Sequence, residues 1–143
     1  MKPPDIPAGP LDFTFGMVPT GDKPEKLTKI LKDLESSIPE IEAAAIVSAE
    51  GLPIASALPR DVDEARVAAM TAAMLSLGER AAAELMKGEL EQVMIRGSDG
   101  YLISMAAGEN AVLTVSASKN VKLGLIFLDM KRTVVKIVKE LEG

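Results

Sequence analysis

The sequence contains no cysteine, no histidine and no tryptophan, and aromatic side chains make up only 3% of its 143 residues. Without cysteine the chain can form no disulfide, no thiolate metal site and no cysteine nucleophile. Without histidine it lacks the commonest general base and the commonest metal ligand. We therefore expect a protein that is not an enzyme and that uses no metal ion and no cofactor.

An excess of basic charge is also missing. The chain has 16 Lys and Arg residues against 21 Asp and Glu residues, which gives a formal net charge of −5. No global positive field attracts nucleic acid or anionic lipid. The basic residues near the end of the chain alternate with acidic ones, as Lys139 does with Glu140 and Glu142, and this pattern indicates a solvated helix face. We expect no nucleic-acid partner.

Long hydrophobic runs are absent as well. No uncharged stretch approaches the roughly 20 residues that span a bilayer. The amino terminus lacks the apolar core that is typical of a signal peptide. These features predict a cytoplasmic protein that does not insert into a membrane.

The residues that are present suit one domain preceded by an extension. A chain of 143 residues with 48% hydrophobic side chains can bury a proper core. Residues 1–23 are rich in Pro and Gly and read as an N-terminal extension, whereas residues 24–143 read as a single domain. No internal repeat divides the domain.

One part of the extension has a pattern of its own. Apolar side chains alternate with Asp12, Thr14 and Gly16, and they are Leu11, Phe13, Phe15 and Met17. Alternation with period two is a strand signal, and two of the three Phe residues of the chain fall here. Either this segment packs back on the domain, or it docks on a partner as an added strand or peptide.

Hydrophobic spacing along the domain predicts the order helix, two strands, helix, three strands, helix. The first helix covers 24–37, and strands at 43–48 and 52–57 follow around a turn at Gly51. A long helix covers 63–87, with Asp63 as its cap and Gly88 as its end. Strands follow at 91–96, 101–107 and 111–116, and Asn120 is the expected cap of the last helix. Pro53 cannot donate a ladder hydrogen bond, so its strand should lie at a sheet edge.

Short antiparallel strands with segregated helices indicate the α+β class. We expect a five-stranded antiparallel sheet with helices on both faces, because that arrangement covers every apolar stripe.

The long helix has no polar side in its middle. Its bulky residues fall on one face, which is expected to pack on the protein's own sheet: Val67, Met70, Met74, Leu77 and Leu85. Small residues occupy the opposite face: Ala65, Ala69, Ala72, Ser76 and Ala83. A helix that is apolar all round is buried on both sides, and small side chains let another backbone come close. We therefore expect the small-residue face to contact a second copy of the protein.

No sequence motif indicates chemistry. The G-x-S-x-G and S-x-x-K patterns of serine nucleophiles are absent, as are the two glycine-rich phosphate-binding patterns. Asp61, Asp63 and Glu64 lack the regular oxygen spacing and the glycine bend of a cation loop. Asp63 is better used as a helix cap.

Residues 44–55, which read Ala-Ala-Ile-Val-Ser-Ala-Glu-Gly-Leu-Pro-Ile-Ala, resemble the first hairpin of the roadblock, or dynein light-chain, domain. The alanine-rich helix, the strand at 92–96 and the helix entry at 122–126 are similar in order and spacing. The resemblance covers residues 26–141. It implies a roadblock-like fold of the profilin and longin type, with the order αββαβββα.

The resemblance also implies a dimer with itself or with a related roadblock chain. In such dimers the long helices pack together and the third strands meet edge to edge. The residues expected at this contact are Ala65, Ala69, Ala72, Ala73, Ser76, Gln92, Met94 and Arg96. The family binds small Ras-like GTPases, so the resemblance implies a signalling scaffold or regulator. The alternative is a structural adaptor subunit that does not depend on a GTPase.

Overall fold

The computed structural model describes residues 23–143. In chain order the elements are α1 (Lys23–Ser37), β1 (Ile41–Ser48), β2 (Pro53–Ala57), α2 (Glu64–Glu84), β3 (Val93–Gly97), β4 (Gly100–Ala106), β5 (Ala111–Ser118) and α3 (Leu123–Glu142). This order confirms the predicted succession of helices and strands. The segment with Leu11, Phe13, Phe15 and Met17 lies outside the described residues.

The five strands form one antiparallel sheet in the order β2-β1-β5-β4-β3. The hairpin of β1 and β2 and the meander of β3, β4 and β5 are joined through the pairing of β1 with β5. β2 is an edge strand, as Pro53 predicts. β3 is the other edge, and this places the third strand where a further strand can pair with it.

Helices cover both faces of the sheet, as predicted. α1 and α3 lie together on one face over the main core, which includes Leu27, Leu31, Ile46, Leu113, Ile126, Met130 and Ile137. α2 lies on the other face over a smaller cluster of Ala45, Val47, Ala68, Leu75 and Val112. Successive residues of a strand point to opposite faces, so Ile46 joins the main core while its neighbours Ala45 and Val47 contact α2.

Asp63 caps α2 as the sequence predicts. Its side chain accepts hydrogen bonds from the backbone N–H groups of Ala65 at 3.0 Å and Arg66 at 3.3 Å. These bonds satisfy donors that the first turn of a helix cannot pair internally.

The predictions for two other helix ends are wrong. α2 ends at Glu84 rather than at Gly88, and Met86 takes the left-handed conformation with φ +58°. The N–H of Met86 donates to Ala83 O at 3.2 Å and that of Lys87 to Ala82 O at 2.8 Å, which is the Schellman arrangement. At α3 the cap residue is Lys122, without a side-chain capping bond, and Asn120 lies before it.

Candidate protein interface

α2 contacts its own sheet through a narrow row of residues. Ala68, Thr71 and Leu75 are the buried residues of this helix. Farther along, a Cβ added to Gly78 would lie only 2.8 Å from Val93 Cγ2. Small or short side chains therefore bring α2 close to the sheet, and little space remains between them for bulky residues.

The bulky residues of α2 do not all pack on the sheet, and this corrects the expectation from the sequence. Leu77 is 68% exposed and Met70 is half exposed, while Val67 and Met74 are half-buried. The row of Ala68, Thr71 and Leu75 has already taken the side that faces the sheet, so Met70 and Leu77 point away from it.

The small residues of α2 differ in exposure to solvent. Ala65, Ala69, Ala73 and Ser76 are exposed, whereas Ala72 is half-buried. Ala69 and Ala72 lie beside the turn between β1 and β2, because a Cβ on Gly51 would be 3.5 Å from Ala69 Cα and 3.6 Å from Ala72 Cβ. These are ordinary van der Waals distances, so it is the φ of Gly51, +96°, that favours glycine at this turn.

The β3 edge adjoins α2 and is also exposed. Val93 reaches Gly78 of α2, and Ile95 points to the same face of the sheet because it is two residues farther along the strand. Met94 points to the opposite face, and both Met94 and Ile95 are nearly half exposed. We call the exposed residues Met70, Ala73, Leu77, Met94 and Ile95 the helix-edge surface.

Two further predicted residues lie at the same edge. Gln92 is half-buried immediately before β3. Arg96 is exposed, and its guanidinium carbon lies 6.0 Å from the centre of the Tyr101 ring, at the limit of a cation–π contact. The structure therefore brings Gln92, Met94 and Arg96 to one sheet edge, beside the helix that carries the predicted alanines.

Sequence reasoning missed Met70, Leu77 and Ile95 as exposed residues. The available signal was the spacing of Ala68, Thr71 and Leu75, followed by Gly78. Apart from Leu75, this row consists of small or short residues three or four positions apart, which mark a helix side on which a backbone approaches closely, and here that backbone belongs to the protein's own sheet.

Within residues 23–143, two hollows lie between α2 and the sheet. The larger, which we call the end groove, has a volume of about 630 Å³ and lies against the C-terminal half of α2. Its lining includes Leu75 and Val112, the small residues Ala72, Ser76 and Ala83, and the acidic residues Glu79, Glu89 and Glu109. A smaller, mostly apolar hollow of about 340 Å³ lies at the other end of the sheet and is lined by Val62, Val67 and Leu102 among others.

Within residues 23–143 the structure places no group of three or more acidic side chains that could hold a metal ion. Burial raises the pKa of Glu35 above its ordinary value, and the positive charge of Lys32 partly offsets this rise. Glu35 belongs to α1, on the sheet face opposite α2, so its pKa has no bearing on the helix-edge surface.

None of α1, α2 and α3 combines the length with the apolar character that crossing a bilayer requires.

Comparison with known proteins identifies related sequences. Residues 27–117 match the Roadblock/LC7 domain. An uncharacterized protein of Methanocaldococcus jannaschii, MJ1340, is 44% identical over 97 residues, which cover 68% of this chain and 84% of that protein.

Solved structures are similar in fold. The crystal structure of a Roadblock/LC7 domain from Streptomyces avermitilis has a TM-score of 0.77 at 20% identity, and the match covers 81% of this chain and 98% of that one. A structure of MglB with a tetrameric arrangement has a TM-score of 0.81 at 19% identity and covers 88% and 95% of the two chains. At these identities the likeness establishes the α+β fold.

Proposed function

The chain belongs to the Roadblock/LC7 domain family, and from this premise we propose that it is a non-enzymatic homodimeric module that scaffolds or regulates a small Ras-like GTPase. The family is one of small-GTPase regulators, and its fold generally serves as an adaptor or regulator rather than a catalyst. We further propose that the module works in the cytoplasm, where such a GTPase would be met.

The observation that carries the dimer is the helix-edge surface. Met70 and Leu77 are large apolar side chains exposed in the middle of α2, away from the charged ends of the helix. Fully burying an exposed side chain of this size contributes roughly 1.5–3 kcal/mol. A partner that covers both residues therefore gains substantially in stability.

The partner we propose is a second copy that pairs through β3. An edge strand offers unpaired backbone N–H and C=O groups, and two antiparallel β3 strands can satisfy these groups across a twofold axis. Because α2 adjoins β3, the same axis brings the two α2 helices together over the joined sheet.

The proposed contact retains most of the residues expected from the sequence. Ala65, Ala69, Ala73, Ser76, Met94 and Arg96 are exposed and available to a partner. Ala72 and Gln92 are half-buried within the protomer, so they would lie at the periphery of the contact. Met70, Leu77 and Ile95 are added to the set.

The mass of the protein in solution tests the dimer. Light scattering after gel filtration should give twice the chain mass for the unmodified protein and the chain mass for Leu77→Glu, because the variant buries an unpaired charge against its symmetry mate. The matched control is Leu128→Glu, which places the same charge at an exposed leucine of α3 and should remain dimeric. If Leu77→Glu keeps twice the chain mass, α2 is not the contact.

Nucleotide dependence tests the GTPase assignment. The protein would be titrated with small Ras-like GTPases of its own organism, each loaded with GDP or with a GTP analogue that does not hydrolyse. A regulator must bind one nucleotide state more tightly than the other, since only a difference in affinity can shift their balance. Equal affinities would favour the structural adaptor, and an absence of binding would contradict the GTPase assignment without affecting the dimer.

A further inference from the structure

We propose that the end groove binds residues 11–17 of the same chain, so that the N-terminal extension is held against the C-terminal half of α2. This inference does not depend on the proposed GTPase or on the dimer. The end groove lies outside the helix-edge surface, and it shares only Ser76 and Ala72 with the proposed dimer contact.

The end groove has an apolar base and an acidic rim that includes Glu79, Glu89 and Glu109, and the base suits apolar side chains of a peptide. Leu75 and Val112 are buried at its base. Besides Leu75 and Glu79, the side chains that α2 contributes to the groove are the short ones of Ala72, Ser76 and Ala83, which leave space unfilled. A volume of about 630 Å³ falls within the roughly 300–1,000 Å³ of pockets that bind ligands.

Residues 11–17 have the matching chemistry. In an extended chain every second side chain points to the same side, so one side of this segment would carry Leu11, Phe13, Phe15 and Met17. Asp12 would point to the other side, away from the carboxylates of Glu79 and Glu109 that line the groove. Aromatic rings gain most from burial because of their large area, and two of the three Phe residues of the chain lie in this segment.

The start of α1 lies at the correct end of the sheet. Lys23 Nζ donates to the carbonyl oxygen of Leu141 at 3.3 Å, which ties this start to the last turn of α3. The next residue, Glu142, lies against Gly108, where an added Cβ would be 3.6 Å from Glu142 Oε2. Gly108 itself lines the end groove.

The length of the intervening chain permits the contact. Eight residue steps separate Phe15 from Lys23, and an extended chain covers about 3.3 Å per step, so the reach is about 26 Å. This exceeds twice the diameter of a helix with its side chains, which is about 10–12 Å, and α1 and α2 lie on opposite faces of the sheet. The segment can therefore pass around the end of the sheet from the α1 side to the α2 side.

The smaller hollow fits less well. Its lining includes Glu42 at the start of β1 and Ser116 near the end of β5, so it lies at the opposite end of the sheet. The 15 residues of α1 separate that end from Lys23 by about 22 Å. The position of Lys23 favours the end groove.

A single tryptophan tests the proposal, since the chain has no tryptophan of its own. In the full-length Phe13→Trp variant we expect a blue-shifted emission maximum and slow quenching by acrylamide at every protein concentration. The matched control is Thr14→Trp. In the proposed arrangement this side chain would point away from the groove, so it should emit and be quenched like exposed tryptophan.

Variants of the groove locate the contact. In the Phe13→Trp background, Ala83→Arg on α2 and Ala49→Arg on the turn between β1 and β2 each place a long charged side chain in the groove and should restore red emission and fast quenching. Ala81→Arg, an exposed α2 residue outside the groove lining, should leave the emission blue. Far-ultraviolet circular dichroism would check that each variant is folded.

Three results would overturn the proposal. Red emission from Phe13→Trp would mean that the segment does not bind the domain. Blue emission that both groove variants leave unchanged would place the segment elsewhere on the protein. Blue emission that develops only at high protein concentration would assign the segment to another molecule rather than to its own groove.

Discussion

Met86 holds a backbone conformation that its side chain disfavours. Its φ of +58° lies in the left-handed region, which glycine adopts freely and other residues adopt at a cost of about 1–2 kcal/mol. Its side chain is 83% exposed, so packing does not repay this cost. The conformation is imposed by the hydrogen bonds that end α2.

We predict that Met86→Gly stabilises the protein by roughly 0.5–1 kcal/mol, because relief of the left-handed strain outweighs the greater freedom of glycine in the unfolded chain. The free energy of unfolding from urea titration would measure the gain. Met86→Ala is the control, since it removes the exposed side chain but keeps the Cβ. Equal stabilisation by both variants would assign the gain to the side chain instead of the backbone.

The sequence points to the wrong residue at this helix end for a physical reason. Gly88 is the nearest glycine, and glycine is the usual residue after a helix. Leu90, however, must return to α2, where one of its methyl carbons would lie 3.0 Å from a Cβ on Gly78. The chain therefore has to reverse before Gly88, and Met86 takes the position.

Among the elements, β4 begins at a point where only glycine fits. Gly100 pairs with Ser118 of β5, and an added Cβ would meet the backbone of Ala117 at less than any real contact distance. A backbone cannot move aside as a flexible side chain can. The start of β4 therefore depends on the absence of a side chain.

Gly100→Ala should destabilise the protein by roughly 1–3 kcal/mol, as other overpacked positions do. Chemical unfolding would measure the loss. Gly97→Ala at the other end of the same turn is the control, because a Cβ there would have a nearest neighbour 3.8 Å away. A similar loss in both variants would mean that the turn, and not the approach to Ala117, is the source.

Hydrophobic periodicity predicts all three helices and all five strands of the described residues, since each element reveals its own repeat. It also predicts β2 as an edge, because Pro53 lacks a donor. The order in which β5 lies between β1 and β4 depends on pairings between distant residues, which no local pattern encodes. The sides of α2 are misassigned for a similar reason: periodicity separates bulky from small residues, but the row buried against the sheet, Ala68, Thr71 and Leu75, belongs to neither set.

At the scale of the whole molecule, stability should depend on protein concentration if the proposed dimer forms. A partner that binds only the folded chain stabilises it by mass action. A tenfold rise in protein concentration increases the free energy of unfolding of the dimer by about 1.4 kcal/mol. For a dimer of this size, that increase raises the Tm by roughly 2–4 °C. Scanning calorimetry over two decades of concentration would measure this slope.

Leu77→Glu should abolish the dependence, while Leu128→Glu should preserve it. A Tm that stays constant with concentration in the unmodified protein would contradict a dimer that dissociates on unfolding. The result is independent of any GTPase, so it separates assembly from partner choice.

Only part of the proposed interface could be predicted from the sequence, because the exposure of a residue depends on which other elements of the fold cover it. Met94 and Arg96 were placed at the β3 edge through the family resemblance, and both are exposed there. Met70 and Leu77 share the bulky face of α2, which the sequence predicts to pack on the sheet. In the structure the row of Ala68, Thr71 and Leu75 contacts the sheet instead, and Met70 and Leu77 are exposed.

The two edge strands of the sheet, β2 and β3, differ in their ability to pair with a strand of another chain. β2 has five residues, begins at Pro53 without a donor, and pairs with β1 through an irregular register between Ile46 and Val47. Short strands, prolines and bulges are features that keep an edge from recruiting another chain. In the proposed dimer the two β3 strands pair with each other, and the strands left at the outer edges of the joined sheet are the two β2 strands. Because β2 does not recruit a further strand, the proposed assembly stops at two copies and does not extend through its sheet into fibrils.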